Sequence, residues 1–132
     1  MATVRRDTII QRSASDVWDV VGDPATIHQW FPGMVDCTVE GKSRIITTRT
    51  GLPLPEEILT IDNSIRRFQY RVLLPVITHH RGTIDVFDIG ENRSLVSYAT
   101  DCEPDAMALI IGGATGAALE ELRSQLESSK EN

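Results

Sequence analysis

The sequence predicts an α+β domain: a seven-stranded antiparallel sheet, two short helices after the first strand, and one long C-terminal helix packed across one face of the sheet. Three observations carry that expectation. Residues 34–101 form a succession of alternating or β-branched segments separated by turn residues. Residues 13–33 carry two closely spaced helix-start signals. Residues 103–130 place apolar side chains at steps of three and four.

Residues 3–11 are rich in β-branched side chains and read as the first strand, with Ile10 on its buried side. Ser13 then stands as an N-cap with Asp16 three residues on, and Val17, Val20 and Val21 follow on one helical face until Gly22 ends it. Asp23 as a cap and Pro24 in the first turn restart a second helix that runs to Trp30, where Phe31-Pro32-Gly33 breaks it. Six further strands are expected over 35–39, 44–50, 56–61, 67–74, 78–87 and 95–101. The turns fall at Glu40-Gly41-Lys42, Gly51-Leu52-Pro53, Asp62-Asn63-Ser64 and Gly90-Glu91-Asn92.

Strand parity defines a wet face and a dry one. In the fifth strand Phe68, Tyr70, Val72 and Leu74 share one side and Arg67, Gln69 and Arg71 the other. In the sixth, His80, Gly82, Ile84 and Val86 face inward, and in the seventh Val96 and Tyr98 share a parity with Cys102. The long helix is expected to begin at Glu103, with Pro104 at its first position and Glu103 and Asp105 at the positive end of the dipole. Its stripe of Met107, Ile111, Ala114, Ala118, Leu122 and Leu126 needs the dry face as a partner. Gly112, Gly113 and Gly116 interrupt it, each at a cost of roughly 0.8–1 kcal/mol relative to Ala. Either close backbone packing or room for a ligand must compensate.

Composition narrows the function classes. A chain of 132 residues with 41% hydrophobic and 24% charged content is expected to be one domain, 1–132. Its net charge of −6, with no gathered Lys or Arg, argues against a nucleic-acid partner. The longest apolar run, 106–119, falls short of the ~20 residues of a spanning helix, so no integral membrane segment is expected. No apolar run follows Arg5 and Arg6, so no signal peptide is expected and a cytoplasmic location is. Cys37 and Cys102 then read as free thiols, and without His or Cys at ligand spacing neither a metal nor another cofactor is expected. The oligomeric state stays open between monomer and homodimer.

Several segments carry a resemblance. Ser15-Asp16-Val17-Trp18-Asp19-Val20-Val21 is similar to the helix-one signature of the START-like, or SRPBCC, superfamily, and Asp23-Pro24 through Trp30-Phe31-Pro32-Gly33 to its next segment. Residues 41–44, 56–62, 70–72 and 93–98 resemble strand motifs of its small bacterial polyketide cyclase/dehydrase-like members. The resemblance covers nearly the whole chain. It implies the helix-grip fold of birch pollen allergen, in which the long helix crosses the concave face of the sheet and leaves a cavity beneath.

That architecture makes Tyr70, Val72, Ile84, Val96, Tyr98, Met107, Ile111 and Ala114 the candidate lining, with Trp30 at the cavity's edge and Trp18 in the core. Parity puts His80 among apolar neighbours, where it is either a general acid or base or a neutral, hydrogen-bonded core residue. Arg44 and Glu56 resemble an Arg and a Glu of related proteins, and if both face inward they neutralise each other or hold a polar group of a ligand. Parity does not choose between Glu56 and Glu57 for the inward position. The leading expectation is binding or carriage of a hydrophobic small molecule such as a lipid, a polyketide or another aromatic or isoprenoid metabolite. An alternative is a cyclase, aromatase or dehydrase in which His80 with Tyr70 or Tyr98 moves a proton. A third is a protein-interaction module, whose marks would be a closed cavity and an exposed apolar patch.

Overall fold

In the computed structural model, which describes residues 1–129, the strands are β1 (Ala2–Ile10), β2 (Met34–Glu40), β3 (Ser43–Thr48), β4 (Pro53–Asp62), β5 (Arg67–Val72), β6 (His79–Gly90) and β7 (Arg93–Glu103). The α-helices are α1 (Ala14–Val21), α2 (Ile27–Trp30) and α3 (Asp105–Ser129). All seven strands pair antiparallel in one sheet of order β1-β7-β6-β5-β4-β3-β2. Strands β2 to β7 are successive hairpins, but β1 pairs with β7 at the far edge. The chain must therefore cross the whole sheet between β1 and β2, and α1 and α2 make that crossing.

The caps form as the sequence requires. Ser13 Oγ accepts from the Asp16 amide at 3.1 Å, and an Asp23 carboxylate oxygen accepts from the Ala25 amide at 3.0 Å. The second helix is tighter than expected. Pro24–Thr26 is a 3₁₀ turn, held by the Thr26 hydroxyl donating to the carbonyls of Val20 and Asp23, and only Ile27–Trp30 is α-helical. Trp18 is a core residue whose indole N–H donates to Asn63 Oδ1 at 2.9 Å.

Several boundaries differ from expectation: β4 begins at Pro53 and not at 56, β6 runs to Gly90 and not to 87, and two further differences bear on the site. The strands around residues 73–78 stop short, so that these residues form a loop in which the Ile77 amide returns to the Leu74 carbonyl at 3.0 Å. Glu103 also belongs to β7 and not to the helix: it pairs with His79, and its carbonyl accepts from the Thr78 amide at 2.9 Å. Pro104 therefore precedes α3, which begins at Asp105. The expected helix end at Lys130 lies outside the described residues.

The stripe of α3 also divides. Ala118, Leu122 and Leu126 are buried as expected, joined by Leu119, but in the first half the buried residues are Ala108, Gly112 and Thr115. Met107 and Ile111 are half-buried and Ala114 is exposed. Close packing at Gly112 sets this rotation, because a Cβ there would lie 2.5 Å from Val4 Cγ1 on β1. The Gly112 carbonyl also accepts from Arg6 Nε and from Thr115 Oγ1, both at 3.1 Å. No such reason applies to Gly113, where a Cβ would meet nothing within 4 Å, or to Gly116, whose neighbours stand at ordinary contact distance. Gly113→Ala is expected to raise stability by about 0.5–1 kcal/mol. Gly112→Ala is expected to lower it, because overpacking against β1 costs about 1–3 kcal/mol and outweighs the helix gain. Urea unfolding of the two variants checks both signs.

Candidate functional site

A hollow of about 190 Å³ remains between the first half of α3 and the sheet. Its floor is built by alternation. Leu54 and Glu56 of β4, Tyr70 and Val72 of β5, and His80 of β6 point inward. Their neighbours on β5 point outward and are satisfied there: Arg67 binds Asp85 at 2.7 and 3.0 Å, Gln69 binds Thr83 at 3.0 Å, and Arg71 binds Glu57 at 2.7 Å. The partner on the outer face thus places Glu57 outside and leaves Glu56 inside. Met107, Ile110, Ile111 and Ala114 form the roof, and Phe31, Met34, Leu74 and Ile77 complete the wall.

Glu56 is 3% exposed and Arg44 2%. The two are cross-strand partners on β3 and β4, and Arg44 donates from Nε at 3.1 Å and from Nη2 at 2.5 Å, both to Glu56 Oε1. Its Nη1 donates to the Pro24 carbonyl at 3.0 Å, and its guanidinium lies 5.2 Å from the ring centres of both Phe68 and Tyr70. Arg44 is therefore held behind the wall, while Glu56 reaches the hollow. Burial pushes the Glu56 carboxyl above its ordinary range even against the opposing pull of Arg44.

Tyr70 packs the hydroxyl end of its ring against Gly82, where a Cβ would sit 2.5 Å from Cε1, and its hydroxyl is hydrogen-bonded to that of Tyr98. Burial pushes both phenols up, so both act as neutral hydroxyls. His80 is 1% exposed. The β5–β6 ladder ends at the Tyr70–Gly82 rung, and two residues further on the imidazole takes over as acceptor, His80 Nδ1 receiving the Val72 amide at 3.0 Å. Burial, and after it the neighbouring His79, hold the His80 pKa down to about 4. With Nδ1 accepting, the single proton of the neutral ring belongs on Nε2, which is buried and without a partner. A general base needs a free ring lone pair, and neither nitrogen has one. Of the two readings the sequence left open for His80, this geometry fits the neutral, hydrogen-bonded ring, with Nε2–H as a donor.

Of the residues expected at the site, Glu56, Tyr70, Val72, His80, Met107, Ile111 and Ala114 line the hollow. Ile84, Val96 and Tyr98 do not; they are 0–1% exposed and share one core cluster with Leu119 and Leu122, which fill the space under the second half of α3. Trp30, 2% exposed, is packed near Phe31 and Tyr98 with ring centres 6.1 and 6.4 Å away, and it borders a separate surface cleft with His28 and Gln125. Sequence reasoning left Phe31, Met34, Leu54, Leu74, Ile77 and Ile110 out of the site. Leu74 was legible from its inward parity, whereas Phe31 read as a helix break and Ile110 lay off the expected stripe.

One antiparallel sheet wrapped against a long helix, with a mainly apolar hollow between them, defines a START-like protein of helix-grip architecture. The chain belongs to the polyketide cyclase / dehydrase and lipid transport family, whose model matches residues 1–128. Its fold is similar to that of the protein XoxI from Bacillus cereus, at 22% identity, a TM-score of 0.91 and coverage of 100% of this chain and 99% of that one. It is also similar to the di-domain ARO/CYC BexL from the BE-7585A biosynthetic pathway, at 17% identity and a TM-score of 0.82, covering 96% of this chain and 47% of that one. Norcoclaurine synthase from Thalictrum flavum, in complex with dopamine and hydroxybenzaldehyde, gives 16% identity, a TM-score of 0.76 and coverage of 99% and 89%. No curated protein matches the chain. Among the described residues, no helix is long and apolar enough to cross a membrane.

Proposed function

We propose that the chain is a single-domain cytoplasmic binding or carrier protein for a small apolar ligand of one or two rings, held under the first half of α3. The observation that carries this reading is the hollow itself, apolar on most of its wall with Glu56, Tyr70 and His80 as polar points. Its 190 Å³ sets the size. That exceeds the roughly 150 Å³ known to admit benzene, and it falls below the roughly 300 Å³ where drug-sized pockets begin. The family description and the one-ring molecules bound in the norcoclaurine synthase structure support the same class. A long lipid chain would need the roof to move.

Naphthalene is the simplest probe. Titrated into labelled protein, it is expected to shift the amide signals of Tyr70, Val72, His80, Met107 and Ile111. Ala114→Phe adds a ring at an exposed roof position, so it should abolish those shifts while changing stability by less than about 0.5 kcal/mol. Undiminished naphthalene shifts in that variant, or none in the wild type, would refute the reading.

A second reading, an enzyme of the cyclase or dehydrase kind, is favoured by Glu56. A buried carboxyl raised above its ordinary range, fixed by Arg44 on one oxygen and bordering an apolar hollow, suits proton transfer to or from a bound ring. Glu56→Gln is expected to end turnover of an aromatic poly-β-ketone thioester and to spare naphthalene binding; a wild-type protein that leaves such a thioester unchanged retires this reading. The protein-interaction reading asked for a closed cavity beside an exposed patch. Leu109 and Ile110 are 70% and 65% exposed, but the hollow lies open beside Ile110.

A further inference from the structure

We infer that His80 makes the hollow selective for a neutral ring bearing a carbonyl-type acceptor, such as an aryl ketone or a quinone, over a plain hydrocarbon or a carboxylate. This rests on the reading of the hollow as a ligand site and specifies its chemistry. Nδ1 is committed to the Val72 amide, so the nitrogen left for a guest is Nε2, and it carries the proton. Among the described residues nothing accepts from it. Thr100 is the nearest candidate by register, standing opposite Gly82 while His80 stands opposite Cys102, yet its own Oγ1 is also buried and unpartnered. A buried N–H without an acceptor is costly, and a guest that brings an oxygen removes that cost. Discrimination against an analogue lacking the oxygen follows from the same term.

Charge excludes the carboxylate. Among the described residues no Lys or Arg lines the hollow, and Arg44, the partner of Glu56, already donates twice to that carboxylate and once to the Pro24 carbonyl. An anionic guest would therefore meet Glu56 without a free cation. The neutral His80 ring offers a dipole and not a charge. Carbonyl oxygen is the acceptor that suits such a donor in an apolar hollow.

The test compares tetralin, 1-tetralone and 1-naphthoate, matched in size, by NMR titration of the full chain. 1-Tetralone is expected to bind at least about tenfold more tightly than tetralin, and 1-naphthoate more weakly than either. His80→Phe should bring the tetralone-to-tetralin ratio close to one. Because that variant removes the acceptor from Val72 and can fail to fold, long-range proton–nitrogen spectra of wild-type His80 give an independent readout. They should show the proton on Nε2, with its signal displaced by tetralone and not by tetralin. Equal affinities for tetralin and tetralone overturn the inference and leave the cavity reading standing. A proton on Nδ1 overturns it whatever binds. If none of the three probes binds, the cavity reading fails and the inference with it.

Discussion

Replacing Arg44 with methionine is expected to destabilise the protein by about 3–5 kcal/mol at neutral pH, the usual result of removing one member of a buried ion pair. Methionine fills much of the arginine's volume, so the cost is chiefly electrostatic. Glu56, 3% exposed, would keep its burial and lose the guanidinium that lowers its pKa. The Pro24 carbonyl would lose its donor as well. Changing both residues, Arg44→Met with Glu56→Leu, should recover most of the loss, because well-packed apolar replacements for a buried pair are often neutral or better. A double-mutant cycle measured by urea unfolding yields the coupling.

The same pair fixes a pH dependence. In the folded wild type the Glu56 carboxyl is raised above its ordinary 4.5 by burial, so the unfolded chain releases this proton first as pH rises. The contribution of Glu56 to stability is thus full below about pH 4.5 and declines as pH climbs through the folded value. Without Arg44 the folded value rises further. The Arg44→Met deficit should therefore be smallest near pH 4.5 and grow towards pH 7. A deficit independent of pH would show that Glu56 is not the group left exposed to the loss.

Parity made the floor of the site legible, because β5 has a wet face. Arg67, Gln69 and Arg71 announce solvent, each finds a cross-strand partner there, and Tyr70 and Val72 are left for the inside. Parity does not say how far along the helix a residue lies. Ile84, Val96 and Tyr98 share the inward face with Tyr70 but sit under the half of α3 that Leu119 and Leu122 fill. The Arg44–Glu56 pair likewise depends on register, since it is a rung of the β3–β4 ladder set by the turn between those strands. On α3, spacing alone gave a straight stripe, whereas the approach of Gly112 to Val4 turned the first half and left Met107 and Ile111 half-buried in the roof of the hollow. Such an approach involves residues more than a hundred positions apart, and no local pattern encodes it. The tautomer of His80 was hidden for a similar reason: it depends on where the β5–β6 ladder stops.

Gly82→Val sets two effects against each other and predicts which prevails. Propensity favours valine over glycine inside a strand by up to about 1 kcal/mol. Packing opposes it. A Cβ at this position would stand 2.5 Å from Tyr70 Cε1, 2.6 Å from Cζ and 2.9 Å from the hydroxyl oxygen. The ring has little freedom to retreat, with Phe68 and His80 at centroid distances of 6.0 and 5.5 Å, Arg44 against its face, and its hydroxyl tied to Tyr98. Overpacking costs about 1–3 kcal/mol, and leaving the Tyr98 hydroxyl buried without its partner costs about 1–3 more. The variant is therefore expected to lose about 3 kcal/mol despite its better strand residue. The space open to the displaced ring is the hollow, so naphthalene binding should fall with stability. Tyr70→Leu combined with Gly82→Val removes the clash and should recover part of the stability, which separates a steric cause from a general intolerance of β6. A Gly82→Val protein with wild-type stability and wild-type naphthalene affinity would mean that Tyr70 does not rest on this glycine.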